Sequence, residues 1–209
     1  MIINNTYIEI DKQNTNMYGL TYYPQMTNFD NNADICFFTK HCSVEVSKNS
    51  YDLVCSMSPK YMTHGILEIG VSRNGPGSFT NAMLTNKPDS IPYLGVDTND
   101  KSYLDDSLKN IHTIQTSSEE QSIVRQKLVD INIKEISLLF IDGWHSVNTV
   151  LNDWLYCDLL SDNGAVFLHD TNFHPGPVVL LDAIDTNIFQ INKYFIDQDD
   201  YGLTIVTKI

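Results

Sequence analysis

From residue 65 onward, short apolar runs alternate with stretches whose apolar residues recur at helical spacing. That alternation marks repeated β–α units feeding a parallel sheet. The pattern predicts strands at Gly65–Ile69, Tyr93–Val96, Ile111–Gln115, Ser137–Ile141 and Ala165–His169, with two more near Gln190–Ile196 and Leu203–Thr207. The helix after the fourth strand is the clearest. Val147, Val150, Leu151, Trp154 and Leu155 fall at i, i+3, i+4, i+7 and i+8 behind Ser146 as N-cap, which makes Trp154 a core residue. Ser161-Asp162-Asn163-Gly164 reads as a turn, and a further helix is expected from about Pro177 through Val178, Leu181 and Ile184. Only Asp197–Gly202 separates the last two strands, so they read as an antiparallel hairpin at the sheet edge. The expected fold class is α/β: a doubly wound, mostly parallel seven-stranded sheet with an antiparallel C-terminal hairpin.

Residues 1–60 lack this rhythm. They are rich in Asn, Thr and Tyr, with a short strand expected at Tyr7–Ile10 and a helix within 49–58 before Pro59. The division expected is an N-terminal cap or lid over 1–60 and one α/β domain over 61–209. The chain's 209 residues suffice for one domain with a real core.

Composition narrows the partners. Thirteen Lys and Arg stand against 26 Asp and Glu, a formal charge of −13, which argues against nucleic acid and against an anionic membrane surface. The start of the chain lacks a signal-peptide pattern, and no apolar run approaches the ~20 residues that span a bilayer. A soluble, cytoplasmic protein acting on a small molecule is expected, with a homo-oligomer left open. Cys36, Cys42, Cys55 and Cys157 show no C-x-x-C pair and no zinc spacing, and are read as reduced thiols, a Cys36–Cys42 bridge being the other option.

Ligands of a doubly wound sheet sit beyond the carboxyl ends of its strands, so those ends carry the chemistry. The first is Glu68-Ile-Gly70-Val-Ser72-Arg-Asn-Gly75-Pro-Gly77-Ser78, which taken singly fits a ligand cradle or an ordinary Gly-rich loop. It is neither G-x-G-x-x-G nor a P-loop. The second ends in Asp97, able to accept both hydroxyls of a ribose or to sit solvated in its loop. The third ends in Thr116-Ser117-Ser118-Glu119, which suits an adenine amino group and equally a helix cap. The fourth and fifth end in Asp142-Gly-Trp144-His145-Ser146 and His169-Asp170-Thr171-Asn172. Facing carboxylates at neighbouring strand ends repel unless protonated or bridged by a cation, and a nearby His adds a preference for Mn, Fe or Zn. Trp144 could stack on an adenine or cover the next helix, and His174 could reach the site or face water.

Together these strand ends resemble the class I S-adenosylmethionine-dependent methyltransferases. Leu67-Glu68-Ile69-Gly70 is similar to the family's first motif, and Asp97 falls where its ribose-binding acid does. The nearest likeness is to metal-dependent sugar and small-molecule O-methyltransferases of the macrocin and mycinamicin type, with cephalosporin-hydroxylase-like and rhamnosyl methyltransferase proteins beside them. Asp142-Gly-Trp-His145 is similar to their Asp-x-x-His segment. His169-Asp170-Thr171, with the trailing Gly176-Pro177, is similar to their Glu-Asp-Thr segment. The likeness covers about residues 65–209. Two departures mark this chain: His169 stands where the group usually has Glu, and the Val71–Gly77 loop is one or two residues longer.

The resemblance implies a Rossmann-like methyltransferase fold and metal-assisted transfer of a methyl group from S-adenosylmethionine to a hydroxyl of a small molecule or sugar. It implies His145 as general base and Asp142, His169 and Asp170 as ligands of a divalent metal, Mg, or Mn or Fe if His169 binds. Glu68, Gly70, Ser72, Gly75, Asp97, Ser117, Asp142 and Trp144 are the residues expected at the cofactor. Two rivals keep the fold but change the function: a non-catalytic nucleotide-binding module of a larger assembly, and a nicotinamide-dependent oxidoreductase. The joint presence of Asp142, His145 and Asp170 weighs against the first. The missing G-x-G-x-x-G and the terminal hairpin weigh against the second.

Overall fold

The apolar runs that alternate with helices assemble into one seven-stranded sheet of order β3-β2-β1-β4-β5-β7-β6. The computed structural model describes residues 18–22, 46–72, 75, 77–196 and 200–209. Its strands are β1 (Gly65–Ile69), β2 (Tyr93–Asp97), β3 (Ile111–Gln115), β4 (Ile136–Ile141), β5 (Leu160–His169), β6 (Phe189–Tyr194) and β7 (Leu203–Lys208). The first five run parallel, and β7 lies antiparallel between β5 and the edge strand β6. The helices are α1 (Lys48–Met57), α2 (Phe79–Asn86), α3 (Gln121–Asp130), α4 (Val147–Trp154) and α5 (Pro175–Ala183).

Strand side chains alternate between faces, and each face has its own core. Leu67, Ile69, Leu139, Ile141, Val166 and Leu168 meet Val124 and Leu128 of α3, Val150, Leu151 and Trp154 of α4, and Leu180 of α5. On the other face Ile66, Tyr93, Leu138, Phe140 and Phe167 meet Val54 of α1 and Phe79, Ala82 and Met83 of α2. Trp154 is fully buried, as its stripe requires, and its indole N–H donates to Tyr18 O at 2.9 Å. Caps fix the helix starts: Ser47, Ser78 and Ser146 accept from the backbone N–H of Ser50, Asn81 and Thr149.

Two local expectations need correction. Ser161–Gly164 is not a turn that ends a unit but an irregularity inside β5. The β4 pairing moves from Ile136–Leu160 to Leu138–Ala165, with Asn163 left-handed at φ +60°. Inserted residues bend a strand without ending it. The last helix starts at Pro175, two residues earlier than expected, because Pro at a helix's first position is pre-set for it. Parts of 1–60 are built into the core: Tyr18 and Leu20 are buried, Leu20 bridges Ile184, and α1 packs on α2. The strand expected at Tyr7–Ile10, most of the lid, and Cys36 and Cys42 lie outside the described residues. Cys55 and Cys157 are free thiols. Among the described residues no helix is long and apolar enough to cross a membrane.

Candidate functional site

Chain direction across the sheet reverses between β1 and β4: β2 and β3 continue to one side of β1, while β4 and β5 lie on the other. The carboxyl ends diverge there, and a cleft of 960 Å³ opens over them.

On the β1 side the chain turns at Gly70, φ +82°. A Cβ at that position would lie 2.0 Å from Asp142 O, so only glycine lets the β1 turn pass against the end of β4. Ser72 lines the cleft and is tied down behind it. Its N–H donates to Thr80 Oγ1 at 3.0 Å, and Thr80 Oγ1 donates to Glu68 Oε1 at 2.6 Å. Two residues expected at the cofactor, Glu68 and Gly75, lie outside the cleft wall. Glu68 shares the Ile66 face of β1, is wholly buried, and accepts from Thr80 and from the Tyr93 hydroxyl. Strand alternation therefore puts it under the loop, outside the cleft wall. Burial raises its carboxyl pKa to about 8 against hydrogen bonds that hold it down. Gly75 does not line the cleft either; its carbonyl accepts from Ser78 N and so serves the start of α2.

Asp97 ends β2 in the cleft wall. Its Oδ1 accepts from the N–H of Asn99 at 2.7 Å, and its Oδ2 lies 3.6 Å from Lys101 Nζ. Ser117 follows β3 in the same wall, its Oγ accepting from Glu119 N at 3.3 Å. The cap expected in this segment is displaced: α3 begins at Gln121 behind Glu120, whose side chain makes no capping bond. Glu119 instead accepts from Thr149 Oγ1 of α4 at 3.1 Å, joining the β3 and β4 ends.

The β4 and β5 ends carry the charge. Asp142, half-exposed Trp144 and His145 precede α4; His169, Asp170 and His174 precede α5, and all six line the cleft. Asp170 has φ +61°, so β5 has ended at His169. The alternation that would put neighbours on opposite faces is broken, and both side chains turn into the crevice. His169 Nδ1 lies 2.8 Å from Asp142 Oδ1 and 3.1 Å from Asp170 Oδ2. His145 Nε2 lies 2.8 Å from Asp170 Oδ2, and His174 Nε2 3.7 Å from Asp170 Oδ1. Close approach of α5 to the β4 loop allows this. Gly176 N donates to His145 O at 3.0 Å, and a Cβ on residue 176 would lie 2.4 Å from that oxygen.

Burial works against charge on both His145 and His169, yet the adjacent carboxylates outweigh it and raise both, His169 well above the ordinary value. Burial pushes Asp170 up, but the two imidazoles beside it dominate and hold it well below the carboxylate range. The donor atoms of Asp142, His169 and Asp170 lie within 4.8 Å of one another. Their 2.8 and 3.1 Å separations suit a divalent ion, since donors each roughly 2.1 Å from one centre stand about 3 Å apart in octahedral geometry. The chemistry of this donor set fits a metal.

Tyr201 was missed by sequence reasoning. It lines the cleft and tilts on the His174 ring at 5.6 Å between centroids. Because β7 is antiparallel to β5, with Leu203 opposite His169, the hairpin turn returns to the carboxyl end of β5. The expected hairpin was the available signal. What sequence did not provide was that β7, rather than β6, pairs with β5.

The sequence matches a family model described as Urm1 (Ubiquitin related modifier) over residues 111–207, under half of the chain. Those residues run from β3 into β7, and β3 and β4 pair with β2 and β1 outside the match, so they are part of one larger sheet. No curated protein matches the sequence. Solved structures do match the fold. The MycE methyltransferase of the mycinamycin biosynthetic pathway, in complex with Mg and SAH (S-adenosylhomocysteine), is 18% identical with a TM-score of 0.56, over 75% of this chain and 48% of that one. This chain thus spans about half the length of MycE. The O-methyltransferase from Bacillus cereus in complex with SAH is 10% identical with a TM-score of 0.54, over 96% and 97% of the two chains. A methyltransferase from Geobacter sulfurreducens is 12% identical with a TM-score of 0.55, over 78% and 80%. The fold is therefore the Rossmann-like fold of S-adenosylmethionine-dependent methyltransferases.

Proposed function

We propose that the protein transfers a methyl group from S-adenosylmethionine to a hydroxyl of a small molecule, a sugar hydroxyl included, with the assistance of a divalent ion. One observation carries this reading. A glycine-lined turn, the Asp97 carboxylate and the Asp142–His145–His169–Asp170 cluster converge on a single cleft at the switch point of the sheet. Fold alone does not fix function, so the residues at the strand ends are what support it.

S-Adenosylmethionine supplies, when bound, a methyl group on a positively charged sulfur. Toward it the chain offers the backbone turn at Gly70, the Asp97 carboxylate as acceptor for ribose hydroxyls, and Ser117 and Trp144 as polar and aromatic walls for the base. Asp142, His169 and Asp170 would hold the divalent ion, which supplies a positive charge that makes a nearby hydroxyl more acidic. His145 takes the acceptor's proton. With Nε2–H donated to Asp170, its Nδ1 remains as the basic nitrogen, and Asp170 steadies the imidazolium that forms. The remaining contribution is positioning in a walled cleft.

Calorimetric titration with S-adenosylmethionine and then NAD tests the first half of the reading. The methyl donor is expected to bind and NAD is not; the opposite result overturns it. Methyl transfer from labelled donor to a panel of hydroxylated acceptors, with and without chelator, tests the second half. Activity that survives complete chelation removes the ion from the mechanism.

A further inference from the structure

We infer that the ion site selects a late first-row transition ion, such as Co²⁺ or Zn²⁺, over Mg²⁺, and that His169 is the residue that sets the preference. This rests on the metal-assisted reading above and deepens it.

The argument is one of confinement. His169 is 3% exposed. Its ring meets Phe79 of α2 edge-on at 4.8 Å between centroids and Tyr201 of the hairpin turn at 6.4 Å. Packed from both sides, the imidazole cannot swing out of the crevice to make room for a water. Nε2 is buried with no hydrogen-bond partner, so the ring's polar contacts run through Nδ1. That nitrogen sits between the carboxylates, 2.8 Å from Asp142 Oδ1 and 3.1 Å from Asp170 Oδ2. The left-handed backbone at Asp170 fixes the arrangement, because it turns the carboxylate back to the side of His169.

An ion between Asp142 and Asp170 therefore meets a nitrogen donor that it cannot avoid. Mg²⁺ prefers oxygen ligands, keeps several waters and demands regular octahedral geometry. Imidazole suits Fe²⁺, Co²⁺, Ni²⁺ and Zn²⁺, whose affinity for mixed nitrogen and oxygen sites rises along the first row.

The test uses the full chain and the metal ions alone. Calorimetric titration of the chelator-stripped protein is expected to rank Mg²⁺ weakest, then Mn²⁺, with Co²⁺ tighter than Mg²⁺ by about tenfold or more. Spin-echo spectroscopy of the Mn²⁺-loaded protein is expected to show coupling to a ligating nitrogen. In His169→Glu that coupling disappears and the Mg²⁺ and Co²⁺ affinities draw together. The measurements on unaltered protein stand even if the variant folds poorly. Mg²⁺ binding as tightly as Co²⁺, or nitrogen coupling undiminished in a folded His169→Glu, overturns the inference while leaving the metal-assisted reading intact. If no ion binds while SAH does, the inference and the role of metal fall together and methyl transfer survives.

Discussion

The two halves of the cleft are built on different principles. The β1–β2 half presents a bare backbone turn at Gly70 and one carboxylate, Asp97, whose hydrogen-bond partners lie within two residues of it in sequence. The β4–β5 half presents two carboxylates and three imidazoles gathered from segments 142–145 and 169–174, at 2.8 to 3.7 Å from one another. The first half depends on shape and one carboxylate paired with Lys101, the second on a cluster of mutually compensating charges. Substitutions in the first should therefore disturb cofactor binding or folding, and substitution of His145 in the second should disturb chemistry while leaving the cofactor bound.

The largest expected effect lies in the charged half. His145→Ala should lower turnover by roughly 10²–10⁴-fold with cofactor affinity nearly unchanged, measured by methyl transfer and by calorimetry on one preparation. An equal loss in both would erase the distinction between the halves. Gly70→Ala tests the shape half. It forces a Cβ against Asp142 O at positive φ, and should cost about 2–4 kcal/mol in urea unfolding and weaken the methyl donor as well.

Glu68 sharpens the comparison from beneath, since its buried carboxyl holds Thr80, which in turn binds Ser72, and does not line the cleft. Its folded pKa is raised from 4.5 to about 8, so the folded state holds the proton more tightly than the unfolded chain. The stabilisation is fully present below 4.5 and is lost as pH rises toward about 8, a change of up to about 5 kcal/mol. Asp153, buried beneath Gly143 and raised by burial to about 7, adds a similar slope that ends earlier. Unfolding free energies measured from about pH 5 to about pH 9 should fall along this course, and Glu68→Gln should flatten the upper part. An unchanged profile in that variant would show that Glu68 ionises freely.

Smallest of the four is Asp97→Ala, expected to weaken the methyl donor by about 1.5–3 kcal/mol through lost charge-assisted hydrogen bonds. Unchanged affinity would put the ribose elsewhere and leave Gly70 alone to define that half.

Much of this was legible in the chain because strands and helices announce themselves locally. The period of apolar residues gave the five parallel strands and the α4 stripe, and Gly70, Asp97, Asp142, His145 and Asp170 follow as the residues at strand ends. Other features depend on pairings between distant segments. Glu68 looked like a cleft residue because it precedes the glycine turn, and one step of strand alternation buries it against Tyr93 instead. Tyr201 reaches the cleft only because β7 pairs with β5. His169 and Asp170 share one side only because the backbone at Asp170 adopts φ +61°. A residue's type and its place at a strand end are properties of the sequence. Which face it occupies, and which distant groups neutralise its charge, are set when the sheet closes its register and the helices pack on it, because those contacts join residues far apart along the chain.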